Sequence, residues 1–275
     1  MRVNWATSSQ AERDAAYNNN AAVANSPALI EARNAASKAY RAAHPAGLDI
    51  PYGSGPRQRF DLYPAANASA PCLVFIHGGY WQRNSREDFA CYAAGIRAHG
   101  WSVAMPSHTL APDATLTEIV GEIGRALDWL VASGPKHGVA GGPVVLSGWS
   151  AGGHLTAMAL AHPGIRAGLT VSGVYELGPI RDTNLNEKLR LTDGEIAALS
   201  PLRLPVVHKR LTMSYGTREL PSLVEDGRNL HALRSAAHAP GALVPVPGAD
   251  HFTILDELKN PAGALVRAAL DLVDG

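Results

Sequence analysis

Along the chain, short apolar runs alternate with stretches whose apolar residues recur every three or four positions. CLVFIH (72–77) is continuously apolar, the pattern of a strand buried on both faces. WSVAMP (101–106), PVVLSG (143–148), AGLTVSG (167–173), LTMSYG (211–216) and ALVPVPG (242–248) read as further strands, and RQRFDLYP (57–64) alternates as a half-exposed strand does. Helical spacing fills the intervals 85–99, 151–162, 221–237 and 260–273. It is clearest over 115–132, where Leu116, Ile119, Val120, Ile123, Leu127 and Leu130 share a face. Residues 10–43 are alanine-rich and predict an N-terminal helical arm, with a helix over 28–42 and an N-cap candidate at Ser26-Pro27. Residues 176–205 are polar and punctuated by proline, which predicts an insertion rather than a sheet element. Strands alternating with helices imply an α/β fold with a mostly parallel sheet covered on both faces. In such sheets sites collect at the carboxyl ends of the strands.

Composition sharpens this only modestly. At 275 residues, 46% hydrophobic and 17% charged, the chain suits one large α/β domain over 1–275. The helical arm (1–45) and the insertion or cap segment (176–205) belong within it. Lys+Arg and Asp+Glu are both 24, so charge gives no reason to expect nucleic acid or an anionic membrane as partner. The two cysteines, Cys72 and Cys91, form no CxxC, so no thiolate metal pair or dithiol motif is suggested. The opening MRVNWATSSQAERD lacks the apolar segment of a secretory signal, and no run approaches the ~20 apolar residues of a membrane span. The expectation is a cytoplasmic protein.

The chemistry begins at Gly148-Trp149-Ser150-Ala151-Gly152, a G-x-S-x-G between a predicted strand and a predicted helix. A turn that sharp leaves no room for side chains at its flanks, hence the glycines. It projects the Ser150 hydroxyl outward and sets the Ala151 amide at a helix N-terminus, where an oxyanion is favoured. A serine hydroxyl needs a histidine base oriented by a carboxylate, in the chain order Ser, Asp/Glu, His. His154 and His162 sit on the helix tied to the serine. His208 precedes its strand, and His231 and His238 lie in or at the end of a helix. His251, in GADHF, follows a strand and is the candidate base. Glu219 follows the strand 211–216 and is the candidate carboxylate, with Asp226 the second choice; Asp250 adjoins His251 too closely to reach it.

HGGYW (77–81) directly follows the strand 72–77, and its glycines let backbone amides approach a substrate oxygen. The amides of Gly79, Tyr80 and Ala151 are the candidate oxyanion hole, with Gly78 shaping the loop and His77 bracing it by a hydrogen bond. Tyr80, Trp81, Trp149 and Tyr175 fall after strands. They suit either an aromatic wall for an aryl substrate or packing of the loops against one another. No HExxH, GxGxxG or G-x4-GK occurs, so neither metal nor organic cofactor is expected.

These residues resemble the α/β-hydrolases, and more narrowly the serine-type kynurenine formamidases (arylformamidases), relatives of the hormone-sensitive-lipase-like esterases. HGGYW is similar to that group's HGG-x-W, where esterases more often carry HGGG. GWSAGG resembles its elbow, YGTRELPSL the stretch holding its acid, and GADHF the stretch holding its histidine. Glu219 stands where the family usually has aspartate. The arm, the entry DIPYGSGPRQRFDLYP and the segment SGVYEL also look similar, so the resemblance spans nearly the whole chain. It implies a serine hydrolase of small amides or esters, working without a cofactor through Ser150, Glu219 and His251, and it is compatible with a homodimer. A short-chain carboxylesterase is the alternative within enzymes, and a non-catalytic binding protein on the same fold the alternative outside them.

Overall fold

The computed structural model describes residues 5–274, apart from the side chain of Asp274. Eight strands form one sheet: β1 (Ile50–Pro51), β2 (Arg59–Tyr63), β3 (Cys72–Ile76), β4 (Ser102–Pro106), β5 (Val144–Trp149), β6 (Ala167–Val171), β7 (Arg210–Gly216) and β8 (Leu243–Val246). Their order is β1-β2-β4-β3-β5-β6-β7-β8. The pairs β1/β2 and β2/β4 are antiparallel, and the remaining pairs are parallel.

Before the sheet stand α1 (Gln10–Ala15), α2 (Asn19–Ala22) and α3 (Ser26–Ala43), which make up the predicted arm. Next come α4 (Ala94–Arg97), α5 (Leu116–Ser133) and α6 (Ala151–Ala159). The segment 176–205 contributes no strand but three short helices, α7 (Gly178–Arg181), α8 (Asn186–Leu189) and α9 (Asp193–Leu199). The chain closes with α10 (Pro221–Ala236), α11 (Asp256–Lys259) and α12 (Ala264–Asp274).

Alternation along the strands splits the core between two faces. Cys72, Val74 and Ile76 of β3 join one apolar cluster, together with Ile119, Ile123 and Leu127 of α5 and Leu155 of α6. Leu73 and Phe75 join the other, with Phe89, Ile96 and Leu265. Every residue of β3, β4, β5 and β6 is buried, which is why these strands read as unbroken apolar runs rather than alternating ones.

Four expectations need correcting. The strand within 57–64 is not half-exposed. Its polar Asp61 is fully buried, because Arg41 of α3 and Arg86 both pair with it, at 2.7 and 2.9 Å. Alternation in sequence marked two covered faces, one of them charged. Ser26 does not cap α3 but is its first residue, its hydroxyl donating to the Asn20 carbonyl. Most of the segment 85–99 is a 3-10 helix over Arg86–Ala93, begun by a reciprocal Ser85–Asp88 capping box. The helix expected over 151–162 ends at Ala159.

Candidate active site

Strands β3, β5, β6, β7 and β8 are consecutive parallel neighbours, so the loops after them open on one side of the sheet. Ile76 pairs with Gly148, Trp149 with Val171, and Gly216 with Val246, which brings those loop starts to one level.

Ser150 has φ +56° and ψ −119°, a conformation L-residues avoid unless the surroundings impose it. Its amide is held by the Val171 carbonyl at 2.8 Å, and its own carbonyl accepts from His154 at the start of α6. A Cβ at Gly148 would collide with the Gly152 carbonyl, and one at Gly152 with the Ile76 carbonyl. The glycines of the motif are therefore required by backbone contact and not by flexibility. A Cβ at Gly78 would stand 2.6 Å from the Trp149 ring and 3.0 Å from the Ser150 Cβ, so the HGG loop lies directly on the serine turn.

That loop is also strained at Tyr80 and Trp81, with φ of +50° and +58°, while Gly79 takes φ +125° as only glycine readily does. Among the described residues the amides of Gly79 and Tyr80 donate no hydrogen bond, and Ala151 opens α6, where no intrahelical acceptor exists. His77 donates from Nδ1 to the Gly78 carbonyl at 3.0 Å, and the Asn84 amide donates to the same oxygen at 3.0 Å. The His77 ring stacks 4.7 Å from His108. Burial, and then the neighbouring His108, hold His77 well below the usual histidine range, so it stays neutral.

Glu219 Oε2 accepts from His251 Nδ1 at 2.8 Å. Its other oxygen accepts from the Ser172 hydroxyl and the Gly216 amide, both at 2.6 Å. The carboxylate side chain is fully buried, and these three donors satisfy it. The β7 and β8 loops are themselves tied, with Arg218 N–H donating to Ala249 O at 2.9 Å and Thr217 N–H to Val246 O at 3.1 Å. Because a carboxylate only accepts, His251 carries its proton on Nδ1 and leaves Nε2 as an acceptor. Trp149 lies 4.7 Å from the His251 ring and donates its indole N–H to the His251 carbonyl at 2.9 Å. Asp250 is occupied by the amides of Phe252 and Thr253. Asp226 accepts from the amides of Tyr175 and Glu176, at 2.7 and 3.3 Å, and does not reach His251. Burial lifts its carboxyl to about 7.

Ser150, His251, Gly79, Tyr80 and Trp149 line one cavity of about 50 Å³. The arm forms part of its wall through Asn19, Asn20, Ile30 and Arg33. Asn19, Asn20, Tyr80 and Arg83 also line an adjoining cavity of about 340 Å³, whose far side includes Asn184 and Lys188 of the 176–205 segment. A larger cavity of about 800 Å³, between the arm, Glu176 and α10, contains none of Ser150, Glu219 or His251, so size is a poor guide to the site here.

The four aromatic candidates divide. Tyr80 and Trp149 line the small cavity. Trp81 packs edge-on against His154, with ring centres 5.0 Å apart. Tyr175 is buried beneath Gly173, which has no room for a Cβ beside that ring. Both pack loops together and line neither of the two adjoining cavities. Missed in the sequence were Ser172, with φ +52° and its hydroxyl on Glu219, and the arm residues Tyr17, Asn19 and Arg33. The Tyr80 hydroxyl donates to the Tyr17 carbonyl at 2.7 Å and accepts from Asn19 Nδ2 at 3.0 Å. Ser172 follows β6, and inspecting every strand end would have found it; a basic residue within an exposed-looking helix gives no such signal.

Residues 60–165 match the BD-FAE family model. The chain is 29% identical to the kynurenine formamidase of Salmo salar, over 78% of this chain and 77% of that one. It is 26% identical to esterase LipC of Mycobacterium tuberculosis, over 76% of this chain and 60% of that one. A solved structure of a thioesterase candidate from Silicibacter sp. TM1040 superposes with TM-score 0.84 at 29% identity, covering 94% of this chain and 99% of that one. The fold is that of the α/β-hydrolases, and the relatives on both sides are hydrolases, as this chain is.

Proposed function

We propose that this hydrolase cleaves small amides or esters through a Ser150–His251–Glu219 triad, with aryl formamides of the N-formylkynurenine type as its preferred class. The carrying observation is the 2.8 Å hydrogen bond from His251 Nδ1 to the buried Glu219 carboxylate, beside a cavity His251 shares with Ser150. In this reading Ser150 Oγ attacks the acyl carbon while His251 Nε2 takes its proton. Glu219 fixes the tautomer and stabilises the imidazolium. The amides of Gly79, Tyr80 and Ala151 receive the oxyanion. His251 then protonates the departing amine or alcohol, and a water, deprotonated by His251, releases the acid from Ser150.

Two features favour a formyl-sized acyl group. The cavity at Ser150 is small, about 50 Å³, while the adjoining space of about 340 Å³ suits a bulkier leaving group. The kynurenine formamidases among the relatives support the same substrate class. The esterase relatives favour a second reading, a short-chain carboxylesterase. Rates on N-formylkynurenine, formanilide and p-nitrophenyl acetate separate the two: turnover of the formamides is expected, and an ester-only profile ends the formamidase reading. A fluorophosphonate is expected to label Ser150; a folded protein that leaves Ser150 unlabelled would be a binding protein instead.

A further inference from the structure

The wall of the Ser150 cavity carries one sign of charge. Arg33 and Arg83 both line it, and no aspartate or glutamate does. Arg33 is only 6% exposed. Its Nε and one terminal nitrogen donate to the neutral side chain of Asn34, at 3.1 and 2.8 Å, and its guanidinium lies 4.2 Å from the centre of the Phe89 ring. Among the described residues no carboxylate forms an ion pair with it. Elsewhere Arg86 and the half-buried Arg41 converge on Asp61, and the buried Arg234 donates to the backbone carbonyls of Val207, Lys209 and Pro240, whereas Arg33 has neither a carboxylate nor a set of carbonyls. A buried cation without a counter-charge is costly, and an aromatic face and one amide oxygen offset only part of that cost. Asp88 acts on Arg33 only from a distance, without an ion pair, and Arg33 lines both the Ser150 cavity and a neighbouring one of about 130 Å³.

We infer that Arg33 binds a carboxylate on the substrate, and that this enzyme prefers acidic aryl amides or esters to neutral ones. The inference rests on the reading of Ser150 as nucleophile. Arg83 lines both the small cavity and the adjoining one, whose wall balances Arg83 and Lys188 against Asp14 and Glu187, so the Arg33 contact falls on the part of the leaving group nearest Ser150. The arm is thereby a specificity element: it supplies no reacting atom, but it sets which leaving groups are held. Because the carboxylate keeps its charge throughout the reaction, the contact is made equally in ground and transition states and appears mainly in KM.

Matched pairs test this: formanilide against 2- and 4-formamidobenzoate, and phenyl acetate against acetoxybenzoate. The wild type is expected to favour the acidic members. Arg33→Met is expected to lower the acidic-to-neutral ratio of kcat/KM by about 10- to 100-fold, the range for a charge-assisted hydrogen bond, through KM. Arg33→Lys retains part of the preference and serves if the Met variant does not fold; fluorophosphonate labelling of Ser150 reports an intact site in each. Equal losses on both members of a pair would assign Arg33 to the oxyanion or to packing on Phe89 and overturn the inference, as would a wild type without preference. Turnover of esters alone removes the formamidase reading while the ester pair still decides Arg33. No turnover and no label at Ser150 remove the nucleophile, and the inference with it.

Discussion

Ser150, Ser172, Glu219 and His251 each stand within a few residues of a strand's carboxyl end, whereas Asn19 and Arg33 stand on helices that precede the sheet in the chain. The two regions meet across one cavity and are built by different means. On the strand side, backbone pairing fixes positions to the residue. Positive φ at Ser150 and Ser172 is held by hydrogen bonds that their amides donate to the Val171 and Ser214 carbonyls, each 2.8 Å. On the arm side, α3 rests on the 3-10 segment Arg86–Ala93, and side chains make the ties: Tyr80 to Tyr17 and Asn19, Ser37 to the Asp88 carbonyl, Arg41 to Asp61. Groups that must move a proton gain from a rigid sheet edge. Groups that select a substrate tolerate a looser mount and are free to differ where the sheet edge is not.

That division is most exposed at Ser150. Ser150→Ala is expected to remove on the order of 10⁴ or more in kcat and all fluorophosphonate labelling; substantial residual activity would move the chemistry off the strand edge. Glu219→Gln comes next, with an expected loss of roughly 10³–10⁴ because the amide no longer fixes the productive tautomer. Asp226→Asn, on α10 and accepting from the 175–176 backbone amides, is expected to stay within about threefold of wild type. The reverse ranking would reassign the acid.

Ser172→Ala removes one of three donors to Glu219 and is expected to cost about tenfold in kcat. A loss in KM alone would place Ser172 with the selecting side. Tyr80→Phe cuts the tie between the arm and the HGG loop, and an effect of about three- to tenfold is expected, with a lowered Tm. If Tm falls without any change in kcat/KM, the arm is a brace and nothing more.

The smallest effect concerns stability alone. Burial holds the Asp226 carboxyl at about 7, above its unfolded range near ~3.9, so the native state keeps a proton that the unfolded chain releases between those values. Stability from this group therefore declines as pH rises from about 4 to about 7 and is constant above. Buried neutral His108 and His154, both held down near 4, act oppositely as pH rises from about 4 to the ~6.5 of an unfolded histidine. The difference between wild type and Asp226→Asn isolates the carboxyl. The Tm of the variant is expected to gain on wild type between pH 5 and pH 8, and an unchanged gap would refute the burial account.

The sequence by itself determined the strand series and the turn at Ser150, and it proposed the order Ser–Glu–His. Those features are local or one-dimensional: apolar runs must be buried, glycine alone fits a turn where a Cβ meets a carbonyl, and chain order prunes histidines. The strand 57–64 was misread because a buried Asp61 is permissible only once Arg41 and Arg86, 20 and 25 residues away, arrive to pair with it. Trp81 and Tyr175 looked like substrate contacts from their places after strands, yet the direction of a side chain within a loop is set by what packs on it. Tertiary structure alone decided that Glu219 reaches His251, that Ser172 supports it, and that Arg33 comes from far along the chain to the wall beside Ser150. Each depends on long-range packing of segments whose local patterns carry no trace of one another.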